Sequence, residues 1–235
     1  MKCEVMSGQT PGQPPASDQP DEWLGHSVLL WTLVSMIAVF SGGCATRPLR
    51  LQDSYSPPHI TSLPNLGAVA IYSFTDRRET GERAVGSNVF RGGTGKNITS
   101  SESVAVSVRR AFAEGLRARG FPVVELTGRD LPLESQPGVV VVVSGEIQEF
   151  WATWSVGRHR GDWQRDASCK VRLLVSELAT GRKLWEKVYP QQYVWDPSMP
   201  ERNRLDMGPA LAKVLALTVE EAVYDPEFVR ELRRR

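Results

Sequence analysis

Four consecutive residues, Ser41-Gly42-Gly43-Cys44, are the first in the chain whose types and spacing suggest chemistry. They follow a run from Val28 to Phe40 that is apolar apart from Thr32 and Ser35. A thiol is a strong nucleophile once ionised, and small residues ahead of it are what a peptidase cleft accepts. The run has the length of a secretory h-region and falls short of the ~20 residues that span a bilayer. A buried helix would carry a polar face, and this run has none. Cys44 therefore sits at the boundary between an export-type segment and the rest of the chain.

Tested for other chemistry, the sequence offers less. "RGGTGKNITS" suggests a phosphate loop, but the first glycine of GxxxxGK[ST] falls on Phe90, and Asn97 replaces the hydroxyl that would hold magnesium. A serine hydrolase needs a histidine beside its nucleophile. His159 is the only candidate beyond residue 66, and no serine has the Gly-x-Ser-x-Gly surroundings. Asp76, Glu146 and Glu149 offer carboxylates for general acid and base work, although Glu146 beside Gly145 in a strand also reads as a solvent-facing residue. Cys169, His59 and His159 are too few for a metal site. No catalytic residue, metal or cofactor is assigned.

The most distinctive stretch runs from Phe150 to Trp163. Trp151, Trp154 and Trp163 flank Arg158, His159 and Arg160, with Gly157 and Gly161 bounding a basic turn. Rings interleaved with cations give large contact area at low entropic cost, and arginine adds cation–π contacts. These six residues form a candidate partner-binding surface at a hairpin tip. The alternative is that the tryptophans only close the end of the core.

These features must be carried by a small set of elements. Residues 1–43 combine a Gly/Pro-broken extension with the apolar run, and 44–65, with Pro48, Pro57, Pro58 and Pro64, read as a tether. A single domain is expected over 66–235. Ala68 to Ser73 is a strand, Phe74 to Arg78 a polar turn, and the glycines from Gly86 to Gly95 a long excursion. Thr99 and Glu102 have capping-box spacing. Val104, Val108, Phe112 and Leu116 form one helical stripe, ended by Gly120. Val139 to Val143 reads as a central strand. Cys169, Val171, Leu173 and Val175 line the inner face of another, and Lys183 to Trp195 returns as its hairpin partner after a turn at Ala179 to Arg182. A helix over about 206–224 presents Leu211, Leu215, Thr218 and Ala222. Asp225-Pro226 opens a last short one. The order is an α+β fold: a largely antiparallel or mixed sheet with two main helices packed on it.

Of the 28 basic and 27 acidic residues, Lys2 alone and Glu4, Asp18, Asp21 and Glu22 precede Cys44, so the remainder is mildly basic. That is far from the clustered charge of a nucleic-acid binder. The segment at Cys44 resembles the lipobox of bacterial lipoproteins, with Ser41 where an aliphatic residue is usual and no basic residues close ahead of the apolar run. The resemblance implies a diacylglyceryl group on the Cys44 thiol and an acylated amine, and more than one chain makes anchoring stable. Ala45, not Asp, after the cysteine implies the outer membrane, with the domain on its periplasmic face. Cys3 would be removed, leaving Cys169 alone in an oxidising compartment, where it is expected to be buried.

From Leu66 to Leu232 the chain resembles the YajG-like family of bacterial lipoproteins. The likeness lies in the first strand running into Asp76-Arg77, the Val85-Gly86 step, Ile98-Thr99 ahead of the helix, Gly120-Phe121 and the Thr180-Gly181 hairpin. It implies an α/β domain on the periplasmic side of an envelope membrane, with no catalytic residues to carry over. The lipobox-like site and the lack of a catalytic constellation point to a lipid-anchored, non-enzymatic protein that binds an envelope protein, glycan or lipopolysaccharide. The alternatives are an envelope hydrolase acting on glycan or lipid through the three carboxylates, and a purely structural lipoprotein.

Overall fold

The computed structural model describes residues 48–50, 56, 60–64, 66–89, 95–126, 138–156, 163–194 and 207–234. Cys44, Arg158, His159 and Arg160 lie outside them. The strands are Ala68–Asp76 (β1), Ala84–Val89 (β2), Gly95–Thr99 (β3), Val123–Glu125 (β4), Val139–Val156 (β5), Trp163–Glu177 (β6) and Lys183–Val194 (β7). The helices are Val104–Arg119 (α1), Gly208–Tyr224 (α2) and Pro226–Leu232 (α3). This is the expected α+β layout, built on one seven-stranded mixed sheet.

Strand β5 is its axis. Along one edge β5 pairs antiparallel with β6, which pairs antiparallel with β7. Along the other edge it has two parallel partners in succession: β1 first, with β4 outside it, then β2, with β3 outside. The helices cover one face, where Ile71, Val143, Phe150, Val171 and Tyr189 meet Phe112, Leu116, Leu211 and Phe228 in a single cluster. The α1 stripe of Val104, Val108, Phe112 and Leu116 is fully buried, as its spacing predicts. Each such side chain contributes roughly 1.5–3 kcal/mol. Gly120 ends the helix at φ 103°, and a Cβ there would lie 2.6 Å from the Leu63 carbonyl oxygen. The opposite face has a smaller cluster around Ala70, Tyr72 and Val142.

Three local expectations give way to tertiary pairing. The segment from Phe74 to Asp76 is the end of β1, because β5 continues beside it. The glycine-bearing excursion contains an antiparallel pair, β2 with β3, and Gly95-Lys96 opens a strand. The helix cap is Ser103, whose hydroxyl accepts from the Val106 N–H. Thr99 is held extended by β2, and Glu102 instead accepts from Ser107 and Arg110.

The segment expected as a free tether is stitched down at two places. Leu49 forms a parallel bridge with Ser100. The Leu63 N–H donates to the Arg119 carbonyl at 2.8 Å, and Arg119 stacks over Tyr224, whose hydroxyl accepts from the Thr61 N–H. Contacts of the domain thus reach back to Leu49 rather than starting at Leu66. At the other end Asp225 caps α3, accepting from the Glu227 and Phe228 amides, and takes further hydrogen bonds from Lys187 and Tyr189.

Candidate functional site

The two parallel partners of β5 do not meet. Pairing with β1 ends at Asp76 opposite Ile147, and pairing with β2 begins at Gly86 opposite Ala152. Residues 148–151 therefore face a gap on that edge. On the other edge the register with β6 shifts between Ile147 and Glu149. Such a bulge inserts an unpaired residue and reverses which side chains face inward. Val141, Val143 and Ile147 point to the helices, and beyond the bulge so do Phe150, Ala152 and Trp154. Glu149, Trp151 and Thr153 are consequently turned to the helix-free face.

Arg78 fills the gap in the ladder. The Arg77 N–H first donates to the Ile147 carbonyl at 2.9 Å. One terminal nitrogen of Arg78 then donates to the Phe150 carbonyl at 3.0 Å and the Ala84 carbonyl at 2.6 Å. Its Nε and second terminal nitrogen grip both oxygens of Asp76, at 2.8 and 2.7 Å. The Arg78 side chain is 3% exposed and that of Asp76 13%. A planar guanidinium can bridge a carboxylate and two carbonyls at once, which a lysine ammonium cannot do with that geometry. The clasp thus ties the end of β1 and the start of β2 to the middle of β5. Immediately beyond it, Gly86 lies so close that a Cβ would come 2.5 Å from the Ala152 carbonyl oxygen.

Beside the clasp is a recess of about 430 Å³ lined by Arg77, Glu79, Gln148, Glu149 and Trp151 among others. A second of about 390 Å³ is lined by Thr75, Asp76, Thr80, Glu82 and Ser103. The first has the make-up of a binding groove: an aromatic side chain, an exposed arginine, an amide that can donate and accept, and carboxylates that accept.

The three candidate carboxylates are not brought together as an acid–base pair. Asp76 has both oxygens occupied by Arg78. Glu146 lies between Arg77 at 3.9 Å and Arg172 at 3.5 Å. Glu149 is exposed and accepts from the Ser168 hydroxyl. Among the described residues, no group of three His, Cys, Asp or Glu side chains is placed to hold a metal ion. No helix among them is long and apolar enough to cross a membrane.

Trp151 and Trp154 lie on opposite faces by strand alternation, and the bulge decides which of them faces the helices. Trp154 is 5% exposed on the helix side, where it closes the core. Trp151 is half-buried at the groove. The backbone of Trp163 pairs with Val156 as the first residue of β6, and the expected tip from Gly157 to Gly161 lies outside the described residues. Cys169 is buried opposite Phe150, and burial pushes its thiol up to about 12. Sequence reasoning did not identify Arg78, the residue that shapes the site. The available signal was an arginine two residues after an aspartate at the end of an apolar strand.

No family model and no curated protein matches this sequence. Among solved structures, the chain is similar to protein XCC0632 from Xanthomonas campestris, with 8% identity and a TM-score of 0.49, covering 72% of this chain and 91% of that one. It is similar to the PelC dodecamer protein from Paraburkholderia phytofirmans, with 14% identity and a TM-score of 0.40, over 74% and 94%. It is also similar to lipoprotein GNA1162 from Neisseria meningitidis, with 9% identity and a TM-score of 0.38, over 66% and 96%. At these values the likenesses assign neither a family nor an activity to this chain.

Proposed function

We propose that the chain is a lipid-anchored protein of the bacterial envelope, acylated at Cys44 and held on the periplasmic face of the outer membrane. Its role is to bind another envelope component, an envelope protein, glycan or lipopolysaccharide, through the surface from Trp151 to Trp163 with Arg158, His159 and Arg160. The observation that carries the binding role is the groove at the break in the β5 edge, lined by Trp151 with Arg77, Gln148 and Glu149. The hydrolase alternative has less support, since Arg78 takes both oxygens of Asp76 and Glu146 is paired with Arg77 and Arg172.

Two measurements test this. Cells fed radioactive palmitate should label the wild-type chain and not Cys44→Ala; equal labelling of both removes the anchor. A photo-crosslinking residue at position 151 should give a discrete adduct in cells that is lost when Arg77, Arg158 and Arg160 are replaced by alanine. An adduct that survives those replacements, or none at all, removes the binding surface.

A further inference from the structure

The lining of the groove beside the Arg78 clasp narrows what the groove can hold. Of the residues around it, Phe150 has its side chain buried on the helix side, and Arg78 is committed to Asp76 and two carbonyls. That leaves Arg77, Glu79, Thr80, Gln148, Glu149 and Trp151 to meet a ligand. No leucine, isoleucine, valine or methionine lines the recess, so an acyl chain or an aliphatic peptide side chain finds no apolar pocket there. Charge argues against an anion as well. Arg77 stands against both Glu79 and Glu149, and its guanidinium is already 3.9 Å from Glu146. The charge of Arg78 is balanced by Asp76. A phosphate or carboxylate would therefore enter an excess of like charge.

The hydrogen-bonding groups, by contrast, are open. Among the described residues the Gln148 amide, the Glu79 carboxylate and the Thr80 hydroxyl have no partner, and Glu149 accepts from Ser168. Such groups around a recess suit a ligand whose rim is made of hydroxyls, each able to donate and to accept. A pyranose ring has that rim, and its faces carry C–H bonds that pack on an indole. The recess, about 430 Å³, has the volume of a small-molecule site. Its wall is also fixed in advance. The Arg77 N–H is held by the Ile147 carbonyl at 2.9 Å and the Arg78 N–H by Asp76 at 3.1 Å, so filling the groove orders little backbone.

We infer that this groove is a saccharide site, in which one pyranose of an uncharged glycan stacks its C–H face on Trp151, accepts from Gln148 and Arg77, and donates to Glu79 and Glu149. This rests on the binding role proposed above and narrows the partner of that surface to a neutral glycan.

The test is saturation-transfer NMR on the full chain, in a detergent without sugar headgroups, with the methyl glycosides of glucose, galactose, mannose and N-acetylglucosamine as probes. At least one should receive saturation, most strongly at its ring C–H protons. Its affinity should drop about tenfold in Trp151→Ala, as expected for one lost ring contact, and be largely kept in Trp151→Phe. Gln148→Ala leaves the buried core untouched and should weaken it several-fold, so the site is tested even where Trp151→Ala is unstable. No transfer to any of the four probes, or affinity unchanged in Trp151→Ala and Gln148→Ala, overturns the inference. Displacement of the sugar by inorganic phosphate or by dihexanoyl phosphatidylglycerol also overturns it, since the groove would then take an anion or a lipid. The in-cell adduct at position 151 separates this inference from the reading beneath it. An adduct without sugar transfer sinks the saccharide and leaves the binding surface, whereas the absence of both sinks both.

Discussion

The two halves of β5 are built from the same strand and do opposite work. In the first half Val141, Val142 and Val143 are buried on both faces between β1 and β6. In the second half Phe150, Ala152 and Trp154 are buried on the helix side, while Glu149 and Trp151 look out the other way. A bulge and a missing edge partner separate the halves. A strand covered on both faces can contribute only to stability. One that turns a face outward beside a gap in the ladder can also meet a partner, because the gap leaves a recess that a continuous sheet would fill.

The largest expected effect comes from the residue that joins the halves. Arg78→Ala takes the guanidinium from the Asp76 carboxylate, leaving it the residue 78 backbone N–H, and from the Ala84 and Phe150 carbonyls, and breaking a buried ion pair in this way costs about 3–5 kcal/mol. Arg77→Ala removes only an exposed, 3.9 Å pairing with Glu146 and should cost less than about 1 kcal/mol. Urea denaturation compares the two. Equal costs would mean that the gap is closed by something other than the clasp.

Next in size is the pair of neighbours on opposite faces. Phe150→Ala empties a fully buried site and should cost about 3 kcal/mol or more. Trp151→Ala should cost markedly less by the same measurement while abolishing the adduct formed by a photo-crosslinking residue placed instead at Gln148 in the same groove. If Trp151→Ala proved as destabilising as Phe150→Ala, the outward face of the second half would be core, and the groove would not be a binding surface.

Much of this was legible in the residues. The Val104 to Leu116 stripe, the αL glycine at 120, the inward set from Cys169 to Val175 and the Asp225-Pro226 cap rest on local periodicity and capping chemistry, and each lies where it was expected. The elements that were not legible depend on long-range pairing. β2 and β3 read as a glycine excursion because their weak local preference is overridden by β5. The Thr99 cap lost to Ser103 because the β2–β3 ladder and the Leu49 bridge hold residues 99 and 100 extended. The site was legible only in part. Trp151 and Trp154 read as one surface; alternation puts them on opposite faces, but which of them turns inward depends on the bulge before Glu149, and that bulge leaves no composition signal. Arg78 was invisible because its partners Phe150 and Ala84 come together only when the sheet forms.

A smaller effect tests the frame around the helices. Burial pushes the Asp225 carboxyl up, but hydrogen bonds from Lys187, the Glu227 and Phe228 amides and Tyr189 outweigh it, so its pKa is lowered from 3.8. A carboxyl depressed on folding contributes stability that is complete above its unfolded value and is lost as pH falls through the folded one. Acid unfolding of the wild type should therefore deepen below about pH 4. Asp225→Asn should cost about 1–2 kcal/mol at neutral pH, as lost caps do, and should flatten that acid limb. An unchanged acid limb would show that other carboxylates set it.

The smallest signal, a labelling rate, reads the comparison most directly. Cys169 pairs with Phe150 on the helix side of the second half, and burial raises its thiol from 9.0 to about 12. At pH 8 iodoacetamide should leave Cys169 of the native protein unlabelled and modify it only when that face opens. If the second half of β5 opens only with the whole domain, the rate follows global stability, and each 1.4 kcal/mol lost speeds labelling about tenfold. Arg78→Ala should then accelerate it about a hundredfold or more, and Trp151→Ala much less. A wild-type rate far above the one set by global unfolding would mean that the half bearing the groove opens alone while the valine half stays shut.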